Sequence, residues 1–110
     1  MIPKIYKLHL RKIVDYFQSS ERYYSKYFLV FHRYSGEETT KLVVVVPKKI
    51  VKLRVNRTKM KRQIYSLSLP LIQESKDLEL VLVVNKKIIT ARRDEIESDL
   101  SSIFSRLGHQ

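Results

Sequence analysis

Apolar residues recur along the chain at the spacing of amphipathic helices in three places. The first helix is predicted over about 7–19, and its apolar face consists of Leu10, Ile13, Val14 and Phe17. The second is predicted over about 52–67, with an apolar stripe of Leu53, Met60, Ile64 and Leu67. Pro70 is expected to end or kink this second helix. The third is predicted over about 92–107, with a core stripe of Ile96, Leu100, Ile103, Phe104 and Leu107.

Aromatic and aliphatic runs between these helices predict three strands. Residues 23–34 form an aromatic, β-prone run, and residues 41–46 form a Leu/Val strand that Pro47 closes. The short polar connection between them suggests a hairpin. Residues 78–84 are apolar almost throughout, which predicts a strand covered on both faces. The element order is therefore α-β-β-α-β-α. We expect an α/β (α+β) two-layer sandwich that forms a single domain over residues 1–110.

The positive charge is concentrated in the first part of the chain. The 110 residues include 22 Lys and Arg against 11 Asp and Glu, a formal net charge of +11. Residues 1–62 hold sixteen of the cations and four of the acids, and no acidic residue occurs from Thr39 to Gln73. Because a solubilising surface usually mixes both signs, this pattern favours a polyanion-binding site over a solvated helix face. A membrane surface is the lesser alternative, since the apolar stripe of the second helix is needed for the core.

The sequence offers no recognisable catalytic or metal-binding centre. The absence of Cys excludes disulfides and thiolate zinc sites, and it fits a reducing cytosol, so we expect a cytoplasmic protein. His9, His32 and His109 lack the spacing of metal ligands. No P-loop, nucleophile elbow or dinucleotide fingerprint is present, so no catalytic and no metal-binding residue is assigned. The third helix carries a group of acids that we expect on its solvated face: Asp94, Glu95, Glu97 and Asp99.

Cations close to aromatic residues favour nucleic acid as the polyanion. The basic second helix can contact phosphates, and the rings of residues 23–34 can stack on unpaired bases. Within a strand, Tyr27, Leu29 and Phe31 share one face. A single-stranded segment lying between the helix and the sheet would use both groups.

The basic helix and the residues before it resemble the bacterial ribonuclease P protein subunit family. That family carries a Lys-Lys pair after a strand, a short link, and then Arg-Asn-Arg/Lys, an aliphatic residue and Lys-Arg. Here Lys48-Lys49 follow the strand, and the helix reads Arg57-Thr58-Lys59-Met60-Lys61-Arg62. Thr58 stands where the family has Asn, and Pro47 stands where it has Ser. The resemblance extends over nearly the whole chain, through Pro3-Lys4, Leu10 to Phe17, and residues 28–31, 77–81 and 100–104.

This resemblance implies a fold, a function and a set of site residues. It implies a left-handed βαβ crossover through the basic helix. The implied partners are ribonuclease P RNA, which is the catalyst and uses Mg²⁺, and precursor tRNA, whose 5′ leader is removed. The residues expected to contact the catalytic RNA are Lys48, Lys49, Lys52, Arg54, Arg57, Thr58, Lys59, Lys61, Arg62 and Tyr65. Of these, Arg57 and Arg62 are expected to be exposed. The residues expected to line the leader cleft, between the sheet and the first helix, are Ile13, Phe17 and Phe31.

Two other classes of function stay open at this point. A structural RNA-binding protein, such as a ribosomal or assembly factor, would have the same size and charge, but the ordered signature of the basic helix favours the first interpretation. A DNA-binding regulator is disfavoured, because the helix-turn-helix pattern is missing. We therefore expect no DNA, no membrane and no obligate protein as a partner.

Overall fold

The computed structural model describes residues 21–34, 40–75 and 77–108. The first predicted helix, with Ile13 and Phe17, lies outside the described residues. The elements in chain order are β1 (Glu21–Tyr24), β2 (Phe28–Tyr34), β3 (Lys41–Val45), α1 (Arg54–Glu74), β4 (Leu78–Val84) and α2 (Arg93–Gly108). A short 3₁₀ helix, Lys86–Thr90, connects β4 to α2. The fold is mixed α/β, as the sequence predicts.

The four strands form one sheet in the order β1-β2-β4-β3, in which β4 is antiparallel to β2 and parallel to β3. The predicted hairpin between residues 23–34 and 41–46 is therefore wrong, because β4 lies between β2 and β3. The physical reason is the composition of β4. A strand that is apolar on both faces is best buried in the middle of a sheet.

The hairpin of this sheet lies instead within the aromatic run, which is two strands and not one. β1 pairs with β2 in antiparallel register, from Glu21 opposite His32 to Tyr24 opposite Leu29. Ser25 closes the turn, because its amide donates to the carbonyl of Phe28 at 2.8 Å and its hydroxyl accepts from the amide of Phe28 at 3.2 Å. This local pairing divides the run at Ser25-Lys26, a polar pair within an otherwise largely aromatic and aliphatic stretch.

The basic helix α1 crosses over between the adjacent parallel strands β3 and β4. It reaches Glu74, so the helix does not end at Pro70. A kink at Pro70, the other predicted outcome, stays a prediction. A proline at this position removes the hydrogen bond to the carbonyl of Ser66. Both residues are exposed, so water can take the place of the missing donor. The left-handedness of the crossover stays a prediction.

The main core lies between one face of the sheet and the helices α1 and α2. Strand residues such as Phe28, Val30 and Leu82 pack there against Ile64 of α1 and Leu100 of α2. The whole predicted stripe of the last helix is buried, which confirms that prediction. The predicted stripe of α1 is only partly right. Ile64 is buried, but Leu53 is 65% exposed at the beginning of the helix.

The second sheet face, which is opposite the main core, carries a smaller apolar cluster. Its members are Phe31, Val43 and Val81, with Leu29, Val45 and Val83 packed against them. The register aligns Phe31, Val81 and Val43 across three strands, and Leu29, Val83 and Val45 form the next row. In the row beyond Phe31, the guanidinium of Arg33 contacts Glu79 at 2.7 Å, and Lys41 is opposite Glu79. One end of this face is therefore charged.

The acidic residues of α2 divide into two groups. Asp94 and Glu97 are exposed, as expected for a solvated face. Asp99 is not, because its carboxylate accepts hydrogen bonds from the hydroxyl of Ser25 at 2.8 Å and the amide of Tyr27 at 3.0 Å. Glu95 accepts from the amide of Arg92 at 2.9 Å and so closes the first turn of α2. The expectation of a solvated face is thus wrong for Asp99, whereas Glu95 stays accessible to solvent.

Candidate nucleic-acid interface

The strand-to-helix link presents its lysines to solvent. The amides of Ile50 and Val51 both donate to the carbonyl of Pro47, at 3.0 and 3.1 Å, and this turn leaves Lys48 and Lys49 exposed. The helix begins at Arg54 without an acidic residue in its first turn. Its positive N-terminal dipole end therefore adds to the cations around it.

Seven exposed cations form what we call the cationic surface. Its residues are Lys48, Lys49, Lys52, Arg54, Lys59, Lys61 and Arg62. The buried residues of α1, Ile64, Ser68 and Ile72, lie on the side of the helix that faces the core. Across residues 21–34, 40–75 and 77–108, no carboxylate forms an ion pair with any of the seven. Their charge is thus available to an external anion. Thr58 is exposed on the same helix.

Arg57 has a different environment from the other predicted RNA contacts. It is half-buried, and its guanidinium donates to the carbonyls of Val51 at 3.0 Å and Lys52 at 2.7 Å. The expectation that Arg57 is exposed is therefore wrong. The carbonyls at the end of the link have no helical donors, so the side chain one turn into the helix turns back to satisfy them. Arg57 holds the link against the helix.

Tyr65 connects the basic helix to the edge of the sheet. Its hydroxyl accepts a hydrogen bond from the amide of Val44 at 3.0 Å. Because β3 is an edge strand, this amide would otherwise lack a partner in the sheet. Burial raises the pKa of Tyr65, and the hydrogen bond from Val44 partly offsets that rise. The side chain is half-buried, and its contact with RNA stays a prediction.

Phe31 lies on the second sheet face, and its ring is only 7% exposed. Its place in the leader cleft stays a prediction, because the first helix lies outside the described residues. Sequence reasoning overlooked a more accessible ring on this face. Tyr24 is 77% exposed, and it is directly opposite Leu29. In a single continuous strand, Tyr24 would share a face with Phe28. The turn at residues 25–27 instead brings it to the face of Phe31. Only the hairpin signal at Ser25 could have indicated this.

On the other face of β1, aromatic and cationic side chains pack against one another. The ring of Tyr23 meets that of His32 edge-on, with centroids 5.8 Å apart, and the guanidinium of Arg106 lies 4.1 Å from the centroid of Tyr23. Burial raises the pKa of Tyr23 and lowers that of His32. These contacts fix β1 to β2 and α2.

Residues 21–34, 40–75 and 77–108 contain no group of three or more His, Cys, Asp or Glu side chains placed to hold a metal ion. No helix in that part of the chain has both the length and the apolar character needed to cross a bilayer.

Known proteins share both the sequence pattern and the fold. The family model Ribonuclease P matches residues 4–108. The ribonuclease P protein component of Pseudanabaena sp. (strain PCC 6903) is 28% identical over 109 residues, covering 96% of this chain and 94% of that protein. The RNase P protein from Thermotoga maritima, solved in complex with 1-(4-fluorophenyl)-2-thiourea, is similar in fold, with a TM-score of 0.81 and 22% identity over 91% of this chain and 98% of that one.

A second solved structure shares the fold. A Staphylococcus aureus RNase P protein mutant with defective mRNA degradation activity has a TM-score of 0.83 and 15% identity, covering 94% of this chain and 89% of that one. Structures this distant in sequence establish the shared fold. The family match spans nearly the whole chain. The chain therefore belongs to the ribonuclease P protein family.

Proposed function

We propose that this chain is the protein component of a ribonuclease P that removes the 5′ leader from precursor tRNA. The cationic surface binds the catalytic RNA, and the second sheet face contacts the single-stranded leader. The observation that carries this proposal is the cationic surface, on the helix that bears the family's signature residues and on the link before it, whose charges form no ion pair within residues 21–34, 40–75 and 77–108. The name of the Pseudanabaena relative, a ribonuclease P protein component, supports it.

The binding of RNA by this surface is mainly electrostatic. Each Lys or Arg that neutralises a phosphate releases a condensed counterion, and this release drives association at low salt. Because α1 is packed against the sheet through Ile64 and Tyr65, the cations are held on a rigid element. An RNA backbone therefore meets a preformed array of charges. Few main-chain bonds of the protein have to be ordered when the RNA binds.

The chemical step in this proposal belongs to the RNA. We assign no nucleophile, acid or base to the protein, and the Mg²⁺ required is the RNA's, with no ligand from this chain. The protein raises the affinity of the complex for precursor tRNA by contacting the leader, a part of the substrate that the product tRNA lacks. Binding energy from this remote segment favours the precursor over the product.

Reconstitution tests the proposal. The purified chain is mixed with a bacterial ribonuclease P RNA and a precursor tRNA at a Mg²⁺ concentration too low for efficient cleavage by the RNA alone. We expect the protein to stimulate release of the 5′ leader. A matched reaction with an unrelated basic protein of equal net charge controls for simple charge screening. RNA binding without stimulation, across several ribonuclease P RNAs, would instead identify a structural RNA-binding protein.

A further inference from the structure

Tyr24 is the most exposed aromatic side chain of the described sheet. Its ring is 77% accessible, although tyrosine in a strand is usually packed against neighbours. None of its side-chain groups takes part in an ion pair, ring contact or hydrogen bond within the described residues. The fold therefore leaves its ring free to contact a ligand.

The register of the β1–β2 hairpin places Tyr24 at the margin of the second sheet face. Directly opposed residues of an antiparallel pair project to the same side. Tyr24 is opposite Leu29, and Arg22 is opposite Phe31, so both side chains of β1 extend rows of the apolar cluster. The two are separated by two residues along the strand, which is about 6.7 Å. Arg22 is also exposed.

We propose that β1 extends the leader-binding face, with Tyr24 stacking on one unpaired base of the leader and Arg22 contacting a neighbouring phosphate. This inference rests on the proposed function. A free aromatic face next to an exposed cation is the combination with which proteins hold single-stranded nucleic acid. Since Phe31 is only 7% exposed, Tyr24 supplies the ring surface that Phe31 cannot.

The net charge of the chain favours RNA as the ligand of this face and disfavours a second copy of the protein. A second copy would bring the same net charge of +11 towards the exposed Arg22. A single exposed ring also offers far less apolar area than a stable dimer requires. A polyanion with unpaired bases complements both side chains.

The experiment measures how tightly the reconstituted complex of the protein and ribonuclease P RNA binds precursor and mature tRNA. The ratio of the two affinities isolates the contribution of the leader. We expect Tyr24→Ala to reduce this ratio about tenfold, within the range found for loss of one base–aromatic stack. Tyr24→Phe retains the ring and should stay within about twofold of the unmodified protein. Tyr24→Leu keeps apolar bulk without the ring and should resemble Tyr24→Ala.

Abasic substitutions along the leader locate the stacked base. At the leader position that stacks on Tyr24, removal of the base should weaken binding to the unmodified protein. The same removal should not change binding to the Tyr24→Ala variant, because that variant already lacks the ring on which the base stacks. Arg22→Ala should reduce the magnitude of the slope of log K against log salt by about 0.7, which is the value for one phosphate contact with a single strand. Tyr34→Ala is the matched control, since Tyr34 is 49% exposed and belongs to the opposite face, and it should leave the ratio unchanged.

The possible results separate the inference from the function on which it rests. If the unmodified complex prefers precursor over mature tRNA and Tyr24→Ala retains the full preference, the inference is overturned and the proposed function stands. If the unmodified complex shows no preference for the precursor, leader binding itself is refuted. Thermal unfolding of each variant excludes a loss of fold as the cause of a reduced ratio.

Discussion

At Asp99, three groups of the β1–β2 turn converge on one carboxylate. The hydroxyl of Ser25 and the amides of Tyr27 and Lys26 lie 2.8, 3.0 and 3.4 Å from its oxygens. These turn amides have no partner in the sheet, so α2 satisfies them from outside. One residue of the last helix thereby fixes the turn that brings Tyr24 to the second sheet face.

We expect Asp99→Ala to lower the free energy of unfolding by about 2 kcal/mol, because it leaves partly buried donors without an acceptor. Urea unfolding followed by circular dichroism measures this loss. Glu97→Ala is the matched control on the same helix, since Glu97 is exposed and its removal should change stability by less than about 0.5 kcal/mol. Equal stability of the two variants would mean that the turn does not depend on Asp99.

His32 makes the free energy of unfolding depend on pH, because its surroundings shift its pKa. Burial lowers the pKa of His32 below its ordinary value of 6.5, Glu21 acts in the opposite direction, and Arg106 lowers it further. The unfolded chain therefore takes up a proton at a higher pH than the folded protein does. The contribution of His32 to stability is complete above pH 6.5 and is lost as the pH falls through the lowered pKa.

Replacement of His32 checks this sign. We expect His32→Gln to unfold at a temperature that changes less between pH 7.5 and pH 5 than that of the unmodified protein. Thermal melts at several pH values supply the comparison. If the melting temperature of the variant fell as much as that of the unmodified protein between pH 7.5 and pH 5, or more, other groups would account for the pH dependence.

At the scale of elements, α1 combines a structural face with a cationic face. Arg57 belongs to both, because its guanidinium holds the preceding link, so Arg57→Ala would alter the link as well as the charge. Lys61 and Arg62 are exposed and form no ion pair in residues 21–34, 40–75 and 77–108. They therefore make the cleaner test of the cationic surface.

We expect the double change Lys61→Ala and Arg62→Ala to weaken binding to ribonuclease P RNA at least tenfold at moderate salt, with little change in the melting temperature. Filter binding or fluorescence anisotropy measures the affinity. The control is Arg92→Ala with Arg93→Ala, which removes the same charge from exposed positions at the beginning of α2. A similar loss in both variants would mean that RNA responds to net charge and not to α1.

Tyr65 connects α1 to the sheet, and removal of its hydroxyl oxygen tests that connection. Tyr65→Phe removes the acceptor for the amide of Val44, and we expect a loss of about 1 kcal/mol in the free energy of unfolding. Denaturant titration measures it. If the same variant also lost RNA affinity while its melting curve stayed unchanged, the hydroxyl would be serving RNA and not β3.

Local pattern predicted some of these elements well, and the reason is physical. The stripe of α2 reflects burial at a fixed period and β4 reflects a continuous apolar run, and the sequence displays both directly. The strand order does not follow from any period, because β4 enters between β2 and β3 after a long crossover. The turn at Ser25 is hard to recognise because aromatic residues on both sides of Ser25-Lys26 favour strands. The position of Arg57 depends on the carbonyls of a link whose backbone no residue pattern specifies.

At the scale of the whole molecule, charge and fold combine to make binding strongly salt-dependent. If all seven residues of the cationic surface contact RNA phosphates, the slope of log K against log salt should be about −5 to −6. A titration of affinity between 50 and 300 mM monovalent salt gives this slope. A value near −1 would mean that the surface makes a single phosphate contact and that shape or base contacts dominate.

The central position of β4 has a consequence for how the chain is made. β1, β2 and β3 are synthesised first, but β2 and β3 are not neighbours, and within the described residues the two are joined only through β4, which is completed at residue 84. Until then, a ribosome-bound chain holds a hairpin and a separate basic helix with no sheet to join them. Folding must close loops of several tens of residues at once, which favours an all-or-none and comparatively slow transition. During that interval the cationic helix is exposed to cellular RNA before the fold that positions it exists.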